Sequence, residues 1–167
     1  MEKKLSDMSL EELWKLFPIH LTEHQPDWRE WYAEEENLLK NRVSDIERIS
    51  HIGSTAISSI CAKPIIDILA EISREHKLSD YKEAIMNSGY ICMSETSDRI
   101  SFNKGYTENG FAERVYHLHL RYIGDNDEVY FRDYLIEHTD VALEYERMKL
   151  ELWKKYEFNR DGYTNSK

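Results

Sequence analysis

The hydrophobic and polar positions divide the chain into three stretches with different periods. Leu10, Leu13, Trp14 and Phe17 recur at helical spacing behind Ser9, a residue suited to an N-cap, and Pro18 ends the short helix they predict. A second helix is expected to open near Pro26, with Trp28, Trp31, Tyr32, Leu38 and Leu39 on one face and the Glu34, Glu35, Glu36 run on the opposite, solvated face. The middle changes period. Ile46 to Ile52 reads as a strand, Gly53 to Ser59 as a turn with a short helix, and Ile65 to Ile72 as a buried strand. Lys77 to Ser88 reads as a helix with Leu78, Tyr81, Ala84 and Ile85 on its apolar side, ended by Gly89 as a left-handed cap. Tyr90 to Met93, Arg99 to Asn103 and Arg114 to Tyr122 have the composition of strands. The last alternates strictly, with Val115, His117, His119 and Arg121 against the apolar face of Tyr116, Leu118, Leu120 and Tyr122. Helical spacing then returns in Phe131, Tyr134, Leu135 and His138, and again in Val141, Tyr145, Met148 and Leu152, all expected to pack on the sheet.

Helices, then strands with a crossover, then helices again predict an α/β (α+β) fold in which helices cover a mixed β-sheet. No repeat, low-complexity tract or linker interrupts the 167 residues. A single domain over residues 1–167 is therefore expected, with 1–24 as an N-terminal helical extension. A chain of this length can bury about two-thirds of its unfolded surface around one core.

Composition narrows the classes. Cys61 and Cys92 have no paired spacing, so cysteine alone builds neither a disulfide framework nor a zinc site, and both are expected to pack. A cytoplasmic location fits. The first residues are charged, and no apolar run approaches the roughly 20 residues of a membrane span, so neither secretion nor membrane association is expected. The net charge of −10 argues against broad nucleic-acid binding, which requires clustered Lys and Arg. That charge is uneven: −5 over residues 1–50, −1 over 51–122 and −4 over 123–167. A nearly neutral centre with its own Lys, Arg and His can host an anion between acidic flanks.

The candidate chemistry lies in that centre. His51-Ile52-Gly53-Ser54-Thr55 joins a strand to a short helix, where backbone amides and hydroxyls can face phosphate oxygens. In Lys63-Pro64-Ile65-Ile66-Asp67-Ile68-Leu69 a carboxylate interrupts an apolar strand, and a buried acid requires a cation, a hydrogen-bond network or a metal. His117 and His119 share a strand face about 7 Å apart, either as metal or phosphate ligands or as hydrogen-bonded or surface histidines. Lys63 can offset phosphate charge or pair with Asp67; Arg121, like Arg99, Lys104 and Arg114, is a further anion-binding candidate or a surface residue. A nucleophile elbow, a Walker loop and a dinucleotide fingerprint are all absent.

A Gly-Ser turn followed a dozen residues later by an acid in a hydrophobic strand resembles the nucleotidyltransferase superfamily. The successive signatures His51-Ile-Gly-Ser-Thr55, Lys63-Pro-Ile-Ile-Asp67-Ile68, His117-Leu-His119-Leu and Phe131-Arg-Asp-Tyr-Leu135 are similar to those of the GrpB family, over about Gln25 to Lys155. The resemblance implies a nucleotidyltransferase-like fold in which Gly53 and Ser54 hold a triphosphate, with Thr55 as a further donor, and Asp67 ligates a divalent metal. It departs from the superfamily pattern at Leu69, where a second carboxylate is usual. Glu71 is the next acid on that face but stands about 13 Å along the strand from Asp67. If His117 and His119 complete the site, imidazole with carboxylate suits Mn²⁺ or Zn²⁺ better than Mg²⁺. Three readings follow: a metal-dependent transferase moving a nucleoside monophosphate from an NTP to a hydroxyl acceptor, a module that binds a nucleotide or other phosphorylated small molecule without transfer, and a structural partner docking through acidic helices.

Overall fold

The computed structural model describes residues 4–18 and 20–156. Its centre is a five-stranded mixed sheet in the order β1-β2-β5-β4-β3, built from β1 (Ile46–Ile52), β2 (Ile65–Ile72), β3 (Ile91–Glu95), β4 (Arg99–Thr107) and β5 (Gly110–Tyr122). β2 runs parallel to β5, and the remaining neighbours pair antiparallel. A parallel pair needs a crossover, and here that crossover contains β3 and β4. The apolar sequence of β2 suits its place inside the sheet, where both faces are covered.

One sheet face carries Ile66, Ile68, Ala70 and Ile72 of β2, Tyr116, Leu118 and Leu120 of β5, and Ile100 and Phe102 of β4. Helices α2 (Asp27–Arg42) and α3 (Lys82–Met86) cover it, with Trp28, Leu39 and Ile85 almost fully buried. Leu39 and Ile85 each contribute about 1.5–3 kcal/mol through burial. Asp67, Leu69 and Glu71 point to the opposite face by strand alternation. On that side lie α4 (Asp127–Glu137) and α5 (Thr139–Tyr156), and Leu135 and Ala142 join Ile57 and Ile60 in a smaller apolar cluster.

The bounds of β1 and β2 agree with the strands expected from the sequence, and both β4 and β5 are longer than expected because they meet in a hairpin pairing Thr107 with Gly110. Four expectations are corrected. Glu35 is not on a solvated face: it is buried in α2, accepting hydrogen bonds from Tyr90 Oη and Lys104 Nζ, both at 2.8 Å. Leu135 is buried as expected, but Phe131 and Tyr134 are about half exposed, because the buried line continues through Ala142 and Lys149. The helix expected over Lys77 to Ser88 begins as a 3-10 turn, Leu78–Tyr81, before α3, although Gly89 does take the left-handed conformation at its end. The N-terminal extension is helical only in part: a 3-10 turn at Leu5–Asp7 and α1 (Leu10–Leu16), capped by a reciprocal Ser9 and Glu12 box. Residues 1–3 and 19 of that extension lie outside the described residues. Among the described residues, no helix is long and apolar enough to cross a membrane.

Candidate functional site

Strand register assembles the site. Asp67 is the cross-strand partner of Ile52 at the end of β1 and of His117 in β5, so the turn that leaves β1 begins beside the Asp67 carboxylate. His119, two residues on, keeps to the same face as His117. At Gly53 the chain turns with φ 75°, a conformation that L side chains rarely adopt. A Cβ at that position would lie 2.5 Å from Asp67 Oδ2, so the missing side chain is what lets the turn press against the acid.

Gly53, Ser54, Thr55, Lys63, Asp67, His117 and His119, all singled out from the sequence, line one hollow of about 340 Å³, together with Ile65, Tyr145 and Lys149. Asp67 Oδ1 faces His117 Nδ1 at 3.5 Å and His119 Nε2 at 3.6 Å, with all three side chains partly open to solvent. Burial raises the Asp67 carboxyl, but hydrogen bonding and charge from the two imidazoles outweigh it and hold the group well below the usual carboxylate range. It is an ionised anchor. His117 is fixed from its other side, where Nε2 lies 2.7 Å from Tyr106 Oη and the two rings stack; Tyr106 in turn packs on Phe17 and Phe111.

Thr55 Oγ1 shares a 2.9 Å hydrogen bond with His51 Nε2, and the His51 ring lies flat on Tyr32 at 4.7 Å. Burial lowers the His51 imidazole to about 4, against a smaller opposing pull from Asp67, so the ring is neutral at pH 7. Arg132 Nη1 donates to the His51 carbonyl at 2.9 Å and ties α4 to the strand end.

Lys149 and Tyr106 were not singled out from the sequence, and Tyr145 was expected only to pack. Lys149 is 2% exposed, yet its Nζ donates to Ser54 Oγ at 2.6 Å and to the Cys61 carbonyl at 3.2 Å. Three residues earlier, Glu146 Oε2 accepts from the Cys61 amide at 2.6 Å, so α5 grips both the Gly-Ser turn and the loop before β2. The signal available in the sequence is the spacing of Ala142, Tyr145 and Lys149, which puts a lysine on the buried line of an amphipathic helix.

Arg121 is not part of the hollow. It is buried beyond His119, with Nη1 at 2.6 Å from Glu128 Oε1 and 3.8 Å from Asp125 Oδ1. Glu71 is fully buried and accepts from the Gly124 amide through Oε1 at 3.1 Å.

The donor set fits a metal only in part. Two ligands about 2.1 Å from one tetrahedral ion stand about 3.4 Å apart, close to the spacing of Asp67 Oδ1 from either imidazole nitrogen. Among the described residues, however, no three His, Cys, Asp or Glu side chains are gathered into a metal-holding group. A two-donor site is what the side chains provide, leaving the other positions of an ion to substrate oxygens and water.

Comparison with known proteins gives the family. The chain is 33% identical over 155 residues to the glutamate-rich protein GrpB of Alkalihalophilus pseudofirmus, covering 89% of each. It is 30% identical to the YqkA protein of Bacillus subtilis, of which it spans 44% of the length. Among solved structures, the conserved protein GrpB from Enterococcus faecalis superposes with a TM-score of 0.74 at 29% identity, over 86% of this chain and 88% of that one. A structure of the Cid1 poly(U) polymerase with Mg and 3'-dATP bound superposes with a TM-score of 0.54 at 11% identity, over 88% of this chain and 46% of the polymerase. The mixed sheet and its flanking helices are thus a nucleotidyltransferase-like fold. With the model of the GrpB protein family matching residues 18–167, the chain belongs to the GrpB family.

Proposed function

We propose that the hollow beside Asp67 binds the phosphates of a nucleoside triphosphate and that the protein transfers a nucleoside monophosphate from it to a hydroxyl-bearing acceptor. The observation that carries this reading is the contact of Gly53 with Asp67 on the wall of a hollow that also holds Lys63, Lys149 and two imidazoles. Cationic and hydroxyl donors surround a single ionised acid, an arrangement suited to an anion and complementary to charge that develops at phosphorus.

In this reading Ser54, Lys149 and Lys63 hold the β- and γ-phosphates. The acceptor oxygen bonds to the α-phosphorus, the bond from that phosphorus to the bridging oxygen breaks, and pyrophosphate leaves. The acceptor's hydroxyl proton passes to a ring nitrogen of His119, the imidazole we assign as the base. A divalent ion, held by Asp67 with His117, would neutralise phosphate charge, and this nitrogen-containing donor set favours Mn²⁺ or Zn²⁺ over Mg²⁺. Titration of nucleoside triphosphates with and without Mn²⁺, followed by product analysis, tests the proposal. Asp67→Asn is expected to abolish transfer and leave the fold intact; unchanged turnover in that variant removes the assigned role.

A second reading rests on Leu69, which occupies the position of the superfamily's usual second carboxylate. A nucleotide- or metabolite-binding module on the same scaffold would bind these ligands tightly and yield no product. Transfer of the α-phosphate excludes it.

A further inference from the structure

A second hollow of about 520 Å³ lies across Thr55 from the first, between the start of α2, the end of β1 and α4. Thr55 lines both hollows, but their chemistry differs. Arg29, exposed in the first turn of α2, and Arg132 of α4 contribute guanidinium groups. His24 enters from the segment before α2, and its Nδ1 is buried without a hydrogen-bond partner. Asp133 is the one acid among the residues lining it.

The hydrogen-bond inventory favours an anion. Arg132 has five N–H groups; Nε and Nη2 use one each on Asp133, and Nη1 uses one on the His51 carbonyl. Two remain for a ligand. Arg29 brings a second planar fork, and the His24 ring completes this side of the lining. The two guanidinium groups come from separate helices, α2 and α4, and planar forks of this kind suit the oxygens of a phosphate. The volume exceeds that of a bare phosphate and lies within the range of small-molecule sites. His51 lines this hollow beside Thr55, stacked on Tyr32 and hydrogen-bonded to Thr55.

We propose that this second hollow is a binding site for a small phosphomonoester, held by Arg29, Arg132 and His24 and separate from the nucleotide-binding hollow beside Asp67. It does not depend on transfer chemistry at Asp67.

The test is an NMR titration of the full chain that follows the imidazole resonances of His24. Inorganic phosphate and glycerol phosphate serve as separate probes, so that a free anion is distinguished from a phosphorylated small molecule. Saturable His24 shifts with glycerol phosphate are expected in wild type and in Lys149→Met, which alters only the first hollow. Arg29→Glu, at an exposed position, is expected to weaken that binding by about tenfold or more, and Arg132→Lys to weaken it while conserving charge. Saturation by inorganic phosphate alone would reduce the site to one for a free anion and overturn the phosphomonoester assignment. No His24 shift at about 10 mM of either probe, enough to fill a millimolar site, overturns the proposal. So does a response unchanged by Arg29→Glu, or one lost in Lys149→Met, which would place the anion beside Asp67.

Discussion

The Lys149 ammonium donates to the Ser54 hydroxyl across 95 residues of sequence at 2.6 Å, from a helix position with almost no exposure. This bond joins the C-terminal helix to the Gly-Ser turn. A phosphate entering the hollow would meet a serine hydroxyl and a lysine already held in place, which lessens the ordering needed on binding.

Lys149→Met keeps most of the side-chain volume and removes the charge. Hydrogen bonds to charged groups are worth about 1.5–3 kcal/mol, so nucleotide affinity should fall roughly tenfold to a hundredfold. Stability should change little, because a buried charge is replaced by an apolar group of similar size. Calorimetric titration and urea unfolding read the two effects separately; undiminished affinity would remove Lys149 from the phosphate site.

Lys149 also shows where sequence pattern loses its hold. The apolar positions Val141, Tyr145, Met148 and Leu152 were legible, but the buried line passes through Ala142 and Lys149 because α5 is rotated toward the turn it grips. The spacing of Lys149 from Ala142 and Tyr145 is its one local mark of burial, and the acidic, solvated sequence around it obscures that mark. Glu35 was hidden for the same reason: its partners Tyr90 and Lys104 come from other elements, 55 and 69 residues away. By contrast, β1, β2 and the alternating face of β5 were readable because strand period and β-branched composition are local properties. The cluster of Gly53, Asp67, His117 and His119 followed from those strands once their register was known. Arg121 has the same face parity as the histidines, but the acids of the following turn and α4 capture it.

Gly53→Ala should damage fold and site together. Its Cβ would meet Asp67 Oδ2 at 2.5 Å on a backbone of φ 75°, so a loss of about 1–3 kcal/mol in urea unfolding is expected, with weakened nucleotide binding. An alanine variant of wild-type stability would contradict the close packing of turn and acid.

The pH dependence of stability should carry a mark of His51. Its imidazole is lowered to about 4 in the folded protein from an ordinary 6.5, so between those values the unfolded chain binds the additional proton. The neutral ring's contribution is complete above about pH 6.5 and is lost as pH falls toward 4, on the order of 3 kcal/mol for a shift of this size. Asp67, whose folded value is depressed below 3.8, acts only at still lower pH, where acid removes its contribution. An NMR titration that found His51 protonating near 6.5 would contradict the buried, stacked ring.

The buried Glu35 should make Lys104 important to the fold. Lys104→Met leaves the carboxylate with the Tyr90 hydroxyl but without this cation, and about 3 kcal/mol of stability should be lost. Adding Glu35→Gln should recover part of it, since the unpaired charge is then gone. A double variant no more stable than Lys104→Met alone, by urea unfolding, would show that charge pairing is not what the network supplies.

The most direct measurement is diffraction from crystals grown with a non-hydrolysable nucleoside triphosphate and Mn²⁺. Phosphate density is expected between Ser54, Lys149 and Lys63, with the α-phosphate toward Asp67 and His119. Full-occupancy nucleotide bound elsewhere, with the Asp67 hollow holding only water, would contradict it.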